Sequence, residues 1–133
     1  MEKETNKKTI LVVEDDLPVL KALTDKLTRE GFQTLQAKNG EEGFLVANKD
    51  HPDLIILDII MPKIDGLSML KKLRVENSWG KSVPVILLTN LDSNEERINK
   101  SVTEDEPAYY IVKTNMSMSD VVEKINERLA RKL

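Results

Sequence analysis

Apolar residues along the chain fall into short unbroken runs, separated by longer stretches in which they recur every three or four positions. Five runs, Ile10–Val13, Phe32–Ala37, Leu54–Leu57, Val83–Leu88 and Ala108–Val112, are rich in β-branched residues and bounded by polar or turn residues. This is the pattern of buried strands. Only FQTLQA alternates with solvent-tolerant positions, which predicts a sheet edge, and Pro84 stands where a missing N–H is tolerable. Between the runs the period is helical. Leu20, Leu23 and Leu27 lie at i, i+3 and i+7, with Pro18 in the first turn and Gly31 as a stop. Asn39-Gly40 introduces a second helix and Asp65-Gly66 a third. Ser93 and Glu96 have capping-box spacing ahead of a fourth. After Ser117, a fifth presents Met118, Val121, Val122, Ile125 and Leu129 on one face.

A strand–helix unit repeated five times predicts an α/β, doubly wound (βα)5 domain with a five-stranded parallel sheet and helices on both faces. Residues 9–133 would form this one domain, preceded by a solvated tail, MEKETNKK, over residues 1–8. In such sheets ligands bind outside the carboxyl ends of the strands, near the point where strand order reverses.

Composition removes several function classes. In 133 residues, 40% are hydrophobic and 32% charged, and the formal charge is −3. A duplex-nucleic-acid or anionic-membrane footprint needs a basic surplus, so no direct nucleic-acid partner and no membrane are expected. Without cysteine there is neither a disulfide nor a thiolate metal site, which suits a cytoplasmic protein. The apolar runs are too short to span a bilayer, and the first residues lack the apolar core of a secretory signal.

The chemistry lies where the strands end. The first strand runs into Glu14-Asp15-Asp16, the third into Asp58, the fourth into Thr89 and the fifth into Lys113. Asp58 is the lone acid of LIILDIIMP, and a bare carboxylate in such a run is costly unless it is paired, metal-bound or at a wet edge. Crowded carboxylates repel one another unless a cation joins them. All-oxygen ligands with no His or Cys favour a hard ion, and Mg²⁺ suits few protein ligands and several waters. Asp15 and Asp58 could each supply an oxygen, the Ile60 backbone carbonyl a third, and Glu14 could hold a coordinated water. A carboxylate beside Mg²⁺, faced by a lysine and a hydroxyl, suits phosphoryl transfer to that carboxylate.

Taken together, ILVVEDD, DLIILDIIMPKIDG, PVILLT and YIVK resemble, in order and spacing, the receiver domain of bacterial two-component response regulators. The resemblance runs from Thr9 to about Leu129. It implies a flavodoxin-like, CheY-like sheet of order 2-1-3-4-5 and phosphorylation of Asp58 by a histidine kinase or histidine phosphotransfer protein. It carries the acidic pair onto Glu14 and Asp15, the switch hydroxyl onto Thr89, the lysine onto Lys113 and the aromatic switch onto Tyr110. It further implies that phosphorylation remodels the surface of the fourth helix, fifth strand and fifth helix for a downstream effector or a homodimer. Such a protein phosphorylates and dephosphorylates itself but turns over no separate substrate, so it is not an enzyme in the ordinary sense. Since the chain stops after the fifth helix, it is expected to be a single-domain regulator or a piece of a longer one.

Three departures from the family pattern bear on function. Thr114 stands where a proline usually follows the lysine, and a non-proline cis bond costs about 2.5–4 kcal/mol, so a trans link is expected. Asn90 replaces a very small residue after the switch hydroxyl. Glu106-Pro107-Ala108-Tyr109 replaces a Gly-Ala pair, making the charged 104–106 stretch an atypical signalling face. Ile60 and Leu91 flank the expected line of water attack, and both are apolar, which implies a persistent phosphoryl group.

Rival readings have weaker support. A phosphohydrolase with an aspartate nucleophile would carry a second acid at position 60, where isoleucine stands. A nucleotide or flavin module would need glycines after the first strand, and EDDLPVL has none. A receiver-like docking module independent of phosphorylation remains compatible with Asn90 and Thr114. Asp16 is read as a helix cap, Tyr109 as surface or packing, His51 as neither ligand nor phosphodonor, and Trp79 as a partly exposed loop residue. The Met61-Pro62 and Asp65-Gly66 pairs are read as shaping the turn after Asp58, without chemistry of their own.

Overall fold

The computed structural model describes residues 7–59, 61, 65–76, 78–89, 108–112 and 117–130. Its five strands are β1 (Thr9–Val13), β2 (Gln33–Ala37), β3 (Leu54–Asp58), β4 (Val85–Thr89) and β5 (Ala108–Val112). All neighbouring pairs are parallel, in the order β2-β1-β3-β4-β5. The helices are α1 (Leu17–Arg29), α2 (Gly40–Asp50), α3 (Gly66–Glu76) and a C-terminal helix (Met118–Ala130), with a 3-10 turn at Trp79–Lys81. The helix expected after Ser93 and the charged 104–106 stretch lie outside the described residues.

Alternation along the strands sorts the core into two layers. Leu11, Val13, Ile55, Leu57, Val85 and Leu87 face α2 and α3, where they meet Phe44, Ala47, Met69, Leu70 and Leu73. Ile10, Val12, Leu54, Ile56, Ile86 and Leu88 face α1 and the C-terminal helix, meeting Leu20, Leu23, Leu27, Val121 and Ile125. The central strands are thus covered on both sides, which is why their sequences are continuously apolar. The alternating strand β2 occupies an edge, as its pattern predicts.

Local chemistry sets the helix limits. The Asp16 carboxylate accepts from Val19 N–H at 3.3 Å and caps α1, with Pro18 in the first turn. At the other end Gly31 has φ 100°, its N–H donates to the Thr28 carbonyl and the Phe32 N–H to that of Leu27. This is a Schellman closure, in which glycine takes the left-handed position. It also explains why β2 begins at Gln33: the Phe32 amide is already spent on the helix. Asn39 caps α2 by accepting from Glu42 N–H at 2.8 Å. Ser117 and Asp120 cap the C-terminal helix reciprocally, at 3.1 and 3.3 Å. The Pro84 carbonyl accepts from Ile55 N–H just ahead of β4, a contact that needs no donor from proline.

Trp79 is half-buried and opens the 3-10 turn, where its ring stacks on His51 with centroids 4.3 Å apart and planes 7° from parallel. The reading of Trp79 as a loop residue therefore misses an ordered contact. The nearby Arg74 is buried and donates from Nη1 to the Gly80 carbonyl at 2.7 Å, tying α3 to that turn.

Shortening Ile56 to alanine should lower the unfolding free energy by about 2–5 kcal/mol, through lost transfer energy and a cavity in the central strand. The same truncation at Leu45, which is 63% exposed, should change it by no more than about 0.5 kcal/mol. Urea denaturation of the two variants reads the difference.

Candidate functional site

The site forms where β1 and β3 leave the sheet. Their register pairs Val12 with Ile56 and Val13 with Leu57. One step further it sets Glu14 against Asp58, and two-residue alternation sends both side chains to the same face. The backbone supports this extension: Glu14 N–H donates to the Ala37 carbonyl at 3.0 Å, and Ile59 N–H to that of Leu88 at 3.2 Å. Two acids thus arrive side by side because two parallel strands end in phase.

Their surroundings differ from those of ordinary surface acids. Glu14 is fully buried and Asp58 is 5% exposed, whereas Asp15 is exposed to solvent. Glu14 Oε2 accepts from Asp16 N–H at 3.1 Å, which holds the carboxylate against the turn leading into α1. One carboxylate oxygen from each of Glu14, Asp15 and Asp58 lies within 4.8 Å of the others. Three negative groups in so small a volume repel strongly, more so where burial thins the water between them. Oxygen donors alone, from carboxylates at mixed depth with one side open to water, fit a small hard cation that keeps part of its hydration. The donor set therefore fits Mg²⁺.

Of the remaining predicted residues, Thr89 ends β4, directly after Leu88, whose Cα pairs with that of Asp58. Thr89 pairs in turn with Val112 of β5. Tyr110 lies on β5 opposite Leu87 and is 42% exposed. Lys113, Ile60, Asn90, Leu91 and Thr114 lie outside the described residues. Tyr109, read from sequence as surface or packing, carries the Arg128 guanidinium over its ring at 3.6 Å, joining β5 to the C-terminal helix.

One close contact escaped the sequence reading. Gly66, first residue of α3, donates its N–H to the Ile59 carbonyl at 2.8 Å, and Asp65 caps the helix by accepting from Ser68 N–H at 2.9 Å. The turn pair therefore brings a helix start against the peptide that follows Asp58. The signal was present as Asp65-Gly66, but spacing alone reads as a turn and does not reveal what the turn touches.

Fold and site together define a flavodoxin-like α/β domain with an acidic group at the carboxyl edge of its sheet. A family model for the response regulator receiver domain matches residues 10–126, and the chain belongs to that family. A probable transcriptional regulator, ycf27, of Pyropia yezoensis is 41% identical over 95 residues, 71% of this chain and 37% of that protein. The chain spans little more than a third of the length of the curated relatives it matches. Among solved structures, the receiver domain of the Francisella response regulator 1452 is 30% identical, covers 96% of this chain and 100% of its own, and superposes with a TM-score of 0.82. The receiver domain of the sensor histidine kinase PA1611 from Pseudomonas aeruginosa PAO1 also superposes at 0.82, with 21% identity and coverage of 93% and 98%. That protein holds a magnesium ion in its active site cleft, but at this identity the likeness carries the fold alone. The chain is thus a receiver domain of two-component signalling, and among the described residues no helix is long and apolar enough to cross a membrane.

Removing one charge from the acidic group should relieve its repulsion. Asp15→Asn should therefore melt slightly higher than the parent protein in chelator-containing, low-salt buffer, with a gap that narrows as salt is added. Thermal denaturation at two ionic strengths checks this.

Proposed function

We propose that Asp58 is the phosphoacceptor, receiving a phosphoryl group from a phosphohistidine of a histidine kinase or histidine phosphotransfer protein. An Asp58 carboxylate oxygen attacks phosphorus, the P–N bond breaks, and the departing imidazole nitrogen keeps the electron pair and takes a proton. An acyl phosphate results, which water later hydrolyses. The observation that carries this reading is the convergence of Glu14, Asp15 and Asp58 within 4.8 Å at the carboxyl edge of the sheet.

Mg²⁺, when bound, would neutralise charge spreading over the phosphoryl oxygens. Asp15, Asp58 and the Ile60 backbone carbonyl would hold the ion, and Glu14 would act through a coordinated water. The Lys113 ammonium would take one phosphoryl oxygen and the Thr89 hydroxyl another, so the protein's part is to position and neutralise. Tyr110 would follow Thr89 as the aromatic switch, altering the surface around β5 and the C-terminal helix. That surface would bind a downstream effector or a second copy of the chain. No nucleic acid is bound directly by this unit, taken as residues 9–133 after a tail of residues 1–8, and its place is the cytoplasm. Beyond making and losing its own acyl phosphate it turns over no substrate.

Incubation with acetyl phosphate and Mg²⁺ should add one phosphoryl group to the intact mass. The adduct should vanish in Asp58→Ala and form at least about tenfold more slowly in Lys113→Ala. A parent protein that takes no adduct while still binding partners would instead indicate a docking module independent of phosphorylation. Apolar Ile60 and Leu91 should keep water from the acyl phosphate, so a polar residue at either position should shorten its half-life, read by mass spectrometry over time.

A further inference from the structure

Gly66 is the first residue of α3, and its backbone sits against the main chain of Asp58 itself. A Cβ built on Gly66 would overlap the Asp58 carbonyl oxygen, come within 2.9 Å of Ile59 Cα and within 3.0 Å of the Asp58 carbonyl carbon. All three obstacles are main-chain atoms, so no side-chain rotation can relieve the overlap. The Gly66 N–H also donates to the Ile59 carbonyl at 2.8 Å. The start of α3 is thereby both bonded to, and in van der Waals contact with, the peptides on the carboxyl side of Asp58.

The comparison with Gly43 shows what is particular here. A Cβ at Gly43 would approach Val13 Cγ2 at 2.9 Å and Met69 Sδ at 3.0 Å, both side-chain atoms that can yield. Gly43 therefore permits packing, whereas Gly66 permits a main-chain position. Asp58 is 5% exposed and its carboxylate shares a space of under 5 Å with those of Glu14 and Asp15. Any shift of its main chain is transmitted to that group, because the strand ladder on either side leaves little slack.

From this geometry we infer that Gly66 is a positioning residue for phosphoryl transfer: its missing side chain lets α3 seat the Asp58–Ile59 main chain so that the three carboxylates converge. The inference rests on Asp58 being the phosphoacceptor. A misplacement of about 1 Å at a reacting group can cost about 100-fold in rate. Gly66→Ala should therefore weaken Mg²⁺ binding and slow adduct formation from acetyl phosphate by about tenfold to a hundredfold, at a temperature where the variant is folded. Leu27→Ala, which opens a cavity at the far end of α1, is the control for lost stability. It should melt lower while its Mg²⁺ affinity and phosphorylation rate stay within about twofold of the parent. If Gly66→Ala also stays within that range, the inference is wrong.

Should Gly66→Ala fail to fold, the unaltered protein decides by amide resonances during a Mg²⁺ titration. Those of Gly66, Asp58 and Ile59 should move together with one midpoint, and a stationary Gly66 would overturn the inference. A parent protein that neither binds Mg²⁺ nor takes the phosphoryl group would instead sink the phosphoacceptor reading, and this inference with it.

Discussion

Repulsion among three carboxylates is the constraint around which this domain is arranged. Glu14 and Asp58 are almost wholly withdrawn from water, and Asp15 lies beside them in solvent. Left alone, such a group favours unfolding, because separation lowers its energy and hydrates its charges. The fold keeps it together by attaching each acid to something stiffer than a side chain. Glu14 follows β1 and Asp58 ends β3, adjacent strands buried along nearly their whole length, and Asp15 is confined between Glu14 and the Asp16 cap of α1. A cation seated there would relieve this repulsion, and its binding free energy would then appear as stability of the folded state.

The two layers of the core serve that end by different routes. The α2–α3 side presses on Leu57 and Ile59, the residues flanking Asp58, and α3 adds a direct main-chain contact through Gly66. The α1 side and the C-terminal helix press on Ile56 and Leu88, and they reach β5 through the stack of Arg128 on Tyr109. A disturbance at the carboxyl edge therefore has two packed paths outward. One runs through a helix start bonded to the Ile59 carbonyl, the other through β4 and β5 to the C-terminal helix. Close-packed interiors transmit such shifts because they lack free volume to absorb them.

Much of this was legible in the chain. Strand runs, helix periods and caps predicted the doubly wound sheet and its edge at β2, since burial on two faces leaves a different imprint from burial on one. The acidic group was legible because strand ends are countable: once β1 and β3 are placed, Glu14, Asp15 and Asp58 fall at one edge. Boundaries were less so. Phe32 reads as strand until its amide is seen closing α1, and Val83 precedes a strand that starts only after Pro84. The pairing of Trp79 with His51 left no periodic trace, because it joins two turns distant in sequence.

Hydrophobic pattern and cap chemistry by themselves determined the five strands, the four described helices and the acids that end up at the sheet's carboxyl edge, because these depend on local spacing and on which faces are wet. Only the tertiary structure decided the depth of each acid, the in-phase ending of β1 and β3, and the bare contact of Gly66 with the Asp58 carbonyl. Those are distances between segments, set by how whole layers pack, and a linear order of residues carries no record of them.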